Sequence, residues 1–94
     1  MHVVIRRYTL AGSSEELTRR ASKEIVPIIR ALPGFRALHM VDCGRSFMSI
    51  SFWDSKPQAT RSTEVATEWV HRSAIGLIPF PPEIFEGDTV LDIS

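Results

Sequence analysis

Residues 35–53 read FRALHMVDCGRSFMSISFW, two β-type runs on either side of Gly44-Arg45. Gly at the first central position suits a two-residue hairpin turn. In Ser46 to Trp53 the alternation is clear: Met48, Ile50 and Phe52 share one face, and Phe47, Ser49, Ser51 and Trp53 share the other. The first set is expected to pack on helices, leaving two serines and two aromatics on an open face. Phe35 to Cys43 is harder to orient, because Phe35, Ala37, His39 and Val41 compete with Leu38 and Met40 for the helix side.

The flanking segments are helical. Ser13 and Glu16 form a capping-box pattern, after which Leu17, Ala21, Ile25, Ile28 and Leu32 recur at helical spacing. Glu15–Arg19 and Glu16–Arg20 are favourably ordered surface pairs. Pro27 should kink this helix by removing a backbone donor, and Leu32-Pro33-Gly34 should stop it. Beyond the hairpin, Ser55 and Gln58 form a second capping box with Pro57 in the first turn. The inner stripe of this helix is Ala59, Ser62, Ala66, Trp69 and Val70, with an end near Arg72 or Ser73.

Outer strands bracket the whole. His2 to Thr9 is rich in β-branched and aromatic residues, with His2, Val4, Arg6 and Tyr8 on one face and Val3 and Ile5 on the other. Leu77-Ile78-Pro79-Phe80-Pro81-Pro82 is expected to be an extended apolar connection, and Asp88 to Ile93 a closing strand beside the first. The order is βαββαβ, an α+β ferredoxin-like arrangement with a four-stranded antiparallel sheet. Residues 1–94 are read as one domain, small enough to bury only roughly 60–65% of its unfolded surface. Helices cover one face of such a sheet, so the apolar residues on the other call for a partner.

Composition narrows the function classes. Eleven basic and eleven acidic residues cancel, so no global field favours nucleic acid or an anionic membrane. The single Cys43 excludes an intrachain disulfide and any CxxC motif, which removes a metallochaperone reading. No apolar run approaches the ~18–20 residues of a membrane span, and Met1-His2-Val3-Val4 begins directly in a strand pattern. A cytoplasmic protein without membrane or nucleic-acid partners is expected, and the aromatic and basic sheet signature of RNA-recognition modules is absent.

Two junctions carry a resemblance. Leu32-Pro33-Gly34-Phe35 leads into the hairpin, and Phe52-Trp53-Asp54-Ser55-Lys56 leads from it into the last helix. With the element order, they resemble the antibiotic biosynthesis monooxygenase-like family of the dimeric α/β-barrel superfamily. The resemblance implies a homodimer with facing sheets, and a pocket between each sheet and its helices or inside the barrel. Some members oxygenate aromatic or quinol substrates without metal or flavin, and some cleave haem. The haem-cleaving branch implies an Asn on the first strand, a Trp early in the second helix and a His further along. Those positions fall at about Arg6, Ser62 and Arg72 here. His71 is displaced from the last by one residue, ~100° around a helix, so haem cleavage is not expected.

The reading that follows is a cofactor-independent monooxygenase-like protein acting on a small aromatic, quinol or polyketide-like substrate in a cavity on the open sheet face. Arg6 would stabilise a substrate anion, with a cross-strand ion pair as its competing role; Arg7 is more simply such a pair. His39 or Tyr8 would handle the proton, and Phe47, Ser49, Ser51 and Trp53 would line the pocket. His71 is expected to face solvent and Trp69 to sit in the core. No metal or organic cofactor is called for, and the partners are a small aromatic ligand and a second copy through the sheet face. On that assignment Phe47→Asp disperses the dimer. Two other classes remain open: a non-enzymatic small-ligand-binding or stress-associated protein, and a proton-transfer isomerase or cyclase.

Overall fold

The computed structural model describes Met1–Ser94. Strand β1 (His2–Thr9) is followed by helices α1 (Ser14–Glu24) and α2 (Val26–Ala31), strands β2 (Phe35–Asp42) and β3 (Ser46–Trp53), helix α3 (Lys56–Trp69), a π-helical turn (Val70–Ala74) and strand β4 (Glu83–Asp88). Helices α1 and α2 are the one interrupted helix that Pro27 foreshadows. Pro27 occupies the first turn of α2, while Ile25 N–H donates to Ala21 and Ile29 N–H to Ile25, at 3.0 and 2.9 Å. The break resets the helical phase. Leu17, Ala21, Ile25 and Ile29 form the buried row, and Ile28, expected there, is 44% exposed.

Caps are made unequally. Ser13 Oγ accepts from Glu16 N–H at 3.1 Å, and the Glu16 carboxylate turns to Arg19 and Arg20 instead of closing the box. Arg19 thus pairs with Glu16 and not with Glu15. Ser55 makes no side-chain cap bond. Of the expected inner stripe, Ala59, Ser62, Trp69 and Val70 are buried and Ala66 is half-buried, Val70 lying already in the π-helical turn.

The sheet is antiparallel in the order β2-β3-β1-β4, the ferredoxin-like arrangement. Its two faces are the reverse of the sequence reading. Val4, Arg6 and Tyr8 pair with Ser51, Ser49 and Phe47 across β1–β3, and this row faces the helices. Val3, Ile5, Met48, Ile50 and Phe52 lie on the uncovered face, only partly buried. The physical reason is volume. Trp53 and Phe47 are bulky enough to fill the two ends of the sheet–helix layer, and both are buried, at 0% and 4% exposure. When both faces of a sheet are apolar, alternation alone does not say which one the helices take.

A bulge settles β2. Phe35 pairs with Trp53 and Ala37 with Phe52, so Arg36 is the extra residue and parity flips across it. Phe35, Leu38 and Met40 therefore share the helix side, while Ala37, His39 and Val41 share the open side. Of the two sets that compete in the sequence, Leu38 and Met40 take the helix side, and from the other only Phe35, ahead of the bulge, joins them.

The closing strand is Glu83–Asp88, five residues earlier than the Asp88–Ile93 expectation. The partner determines this. Antiparallel pairing starts at Arg7–Glu83, just after Pro82, and reaches the end of β1 at His2–Asp88. Thr89 N–H then takes the Met1 carbonyl at 2.8 Å, and no β1 residue remains for Val90 to Ile93. No helix is long and apolar enough to cross a membrane.

Candidate functional site

The small residues in the middle of the inward row leave space. Ser49 and Ser51 sit between Phe47 and Trp53, and above them lies a cavity with about 550 Å³ of atom-free space, counting the part open to solvent. Twelve of its fifteen lining residues are hydrophobic; the other three are Arg6, Ser49 and Ser51, on adjacent strands. Leu17, Ala21, Ile25 and Ile29 form the helix wall, and Trp69 is fixed by donation from its Nε1 to Glu24 at 3.1 Å. One end of the site is therefore cationic and hydrogen-bonding while the rest is oily, the division expected of an organic-ligand pocket.

Arg6 dominates the electrostatics. Its residue exposure is 4%, its Nε and Nη1 have no hydrogen-bond partner, and it makes no salt bridge. Burial lowers its pKa from the ordinary arginine value, opposed by Tyr8 and Glu86. An arginine does not lose its proton in a protein, so the charge stays, desolvated and without a partner. Ser51 Oγ, 45 residues away in sequence, is likewise buried and unpartnered. Tyr8 reaches the same cavity from β1; burial raises its pKa, and the Arg6 charge pulls less strongly the other way. At neutral pH Tyr8 is a phenol and a proton donor.

Arg6, Tyr8, Phe47, Ser49 and Ser51 thus gather at one cavity, as the alternation of β1 and β3 implied, but between sheet and helices and not on the open face. Trp53 and His39 are not with them. Trp53 is fully buried against Phe35, ring centroids 5.6 Å apart in an edge-to-face contact, and supports the end of the layer. His39 is exposed on the opposite face, edge-on to Phe52 at 6.2 Å, in a separate shallow depression with Arg36 and Ile93. Arg7 makes the expected cross-strand pair with Glu83, its Nε donating at 3.2 Å.

A second, smaller cavity adjoins the first and shares Tyr8, Val70 and Ile78 with it. His71, on the π-helical turn, and Pro79 to Pro82 line its outer side. Ser62, where the haem-cleaving branch has a Trp, is buried in the helix with its hydroxyl donating to the Ala59 carbonyl at 2.6 Å. No group of three or more His, Cys, Asp or Glu side chains is placed to hold a metal ion. Sequence reasoning missed the helix wall, because Leu17, Ala21 and Ile25 read as ordinary core. It also missed His2, which is buried with Nδ1 3.1 Å from Asp88 Oδ1 and Nε2 3.8 Å from Glu86.

No protein-family model matches the chain, and no curated protein does. Solved structures match along its whole length. The monooxygenase ActVA-Orf6 of Streptomyces coelicolor, in complex with nanaomycin D, superposes with a TM-score of 0.77 at 16% identity over 99% of this chain and 90% of that one. SnoaB, a cofactor-independent oxygenase from Streptomyces nogalater, gives 0.75 at 17% identity over 98% and 95%. A MhuD mutant with two manganese protoporphyrin IX bound per active site gives 0.76 at 20% identity over 100% and 99%. The chain therefore has the ferredoxin-like fold of the antibiotic biosynthesis monooxygenase-type proteins.

Proposed function

We propose that this protein is a cofactor-independent monooxygenase acting on a small aromatic phenol or quinol, held in the cavity between the sheet and the helices. The observation that carries the reading is the buried, unpaired Arg6 at the polar end of an otherwise apolar pocket. Such a charge is costly unless a ligand completes it. A phenolate oxygen docked there is stabilised, and its negative charge delocalises onto a ring carbon. That carbon passes one electron to molecular oxygen, and the radical pair joins to form a C–O bond and a peroxide. Tyr8 protonates the peroxide; the same carbon loses its hydrogen as a proton while the O–O bond breaks, giving a carbonyl and water. The similarity to ActVA-Orf6 and SnoaB supports oxygen chemistry on this scaffold.

A second copy is expected to cover the open sheet face. Val3, Ile5, Met48, Ile50 and Phe52 form a continuous apolar row pair there, with Val41 and Phe85 exposed beside them. An antiparallel sheet leaves one face to water only when that face is polar.

Oxygen uptake by metal-stripped protein, with 1,8-dihydroxyanthrone and naphthoquinols, tests the proposal. Saturable uptake that Arg6→Met abolishes supports it, and uptake no faster than the uncatalysed reaction overturns it. One observation favours a second reading, ligand binding without turnover: no Asp, Glu or His lines the main cavity to take the phenolic proton. Arg6-dependent binding without oxygen uptake would establish that reading.

A further inference from the structure

The charge of Glu86 opposes the effect of burial on Arg6, and register determines where this carboxylate stands. The helix-side residues of β1 are His2, Val4, Arg6 and Tyr8, and opposite the first three lie Asp88, Glu86 and Ile84 of β4. Glu86 is thus the diagonal neighbour of both His2 and Arg6, at a ~7–8 Å backbone spacing that long side chains cross. Its carboxylate lies toward His2, with Oε1 3.8 Å from Nε2. Asp88 holds the other ring nitrogen of His2 at 3.1 Å. Glu86 raises the pKa of Arg6 yet makes no salt bridge with it, so it is near the guanidinium without occupying it. Arg6 is also the only cation lining the main cavity.

Resting on the reading of this cavity as the ligand site, we propose that Glu86 sets its charge selectivity, restricting it to aromatic ligands that carry a single negative charge. One anionic group on the ligand meets Arg6 in contact and Glu86 only at longer range, so the attraction exceeds the repulsion. A second anionic group finds no further cation in the pocket and adds repulsion from Glu86. Glu86 stands beside the His2 ring, 3.8 Å from an Nε2 that makes no hydrogen bond, and leaves the guanidinium open for the ligand.

Calorimetric titration with three naphthalenes isolates charge from shape: 2-naphthoate with one charge, naphthalene-2,6-dicarboxylate with two, and 2-naphthamide with none. Wild-type protein should bind the monoanion most tightly. Glu86→Gln should tighten dicarboxylate binding roughly tenfold and naphthoate roughly threefold, leaving the amide unchanged. Glu86→Ala should tighten the two anions in the same order and again leave the amide unchanged, and thermal melting of each variant verifies its fold. Equal changes for all three ligands, the neutral amide included, would assign Glu86 a merely structural role and overturn the proposal. So would unchanged selectivity. Arg6→Met separates the two levels. If naphthoate binding needs Arg6 but ignores Glu86, only this inference fails; if no naphthalene binds, or binding ignores Arg6, the cavity reading fails with it.

Discussion

Arg6 lies directly across the β1–β3 ladder from Ser49, both turned toward the helices, yet neither Nε nor Nη1 of Arg6 has a protein partner. A guanidinium in that position opposes folding and favours ligand binding. Replacing it by an apolar residue of similar length should therefore separate stability from function.

Arg6→Met is expected to stabilise the unliganded protein by roughly 1–3 kcal/mol while abolishing selective binding of aromatic anions. At this chain length that is a rise of about 4–8 °C in melting temperature per kcal/mol. Scanning calorimetry without ligand reads the first effect and titration calorimetry the second. A lower melting temperature would mean that Arg6 is partnered in solution.

The reversed faces change the dimer prediction. Phe47 is buried among the helices, so Phe47→Asp places an unpaired charge in the core at a cost of about 4 kcal/mol or more, and circular dichroism should report unfolding. Ile50→Asp, on the open face, should leave the fold intact and yield monomers by analytical ultracentrifugation. A folded Ile50→Asp dimer would remove the open face from the interface.

Tyr8→Phe should reduce kcat for oxygen uptake about 10²-fold with little change in KM, since a proton donor is lost but the wall is kept. His39→Ala, on the opposite face of the sheet, should leave both within about twofold. A strong His39 effect would bring the open face back into the chemistry.

Acid stability offers a check on α1. Hydrogen bonds from Arg19 and Arg20 lower the Glu16 pKa from 4.5 to about 2. A depressed carboxylate pKa stabilises the fold above the unfolded value, and that contribution is lost as pH falls from about 4.5 to about 2. The Glu16 carboxylate is half-exposed and screened by solvent, so the effect is small. Urea midpoints measured across this range should fall less steeply for Glu16→Gln than for wild type.

The hairpin, the helical stripes apart from the part of the first beyond Pro27, the proline break and the grouping of Arg6, Tyr8, Phe47, Ser49 and Ser51 on one side were legible in the sequence. Each depends on local periodicity, on capping chemistry or on the alternation of neighbouring side chains, and these need no knowledge of distant residues. The tertiary structure alone decided which face the helices cover, because both faces are apolar and the choice depends on how Trp53 and Phe47 fill the layer. It also decided that His39 faces away from Arg6, through one inserted residue at Arg36. It ended β4 at Asp88, where β1 runs out of pairing positions. Above all it turned Arg6 from one charge among eleven into a buried cation without a counter-ion. Desolvation is a property of everything packed around a group, and no single strand encodes it.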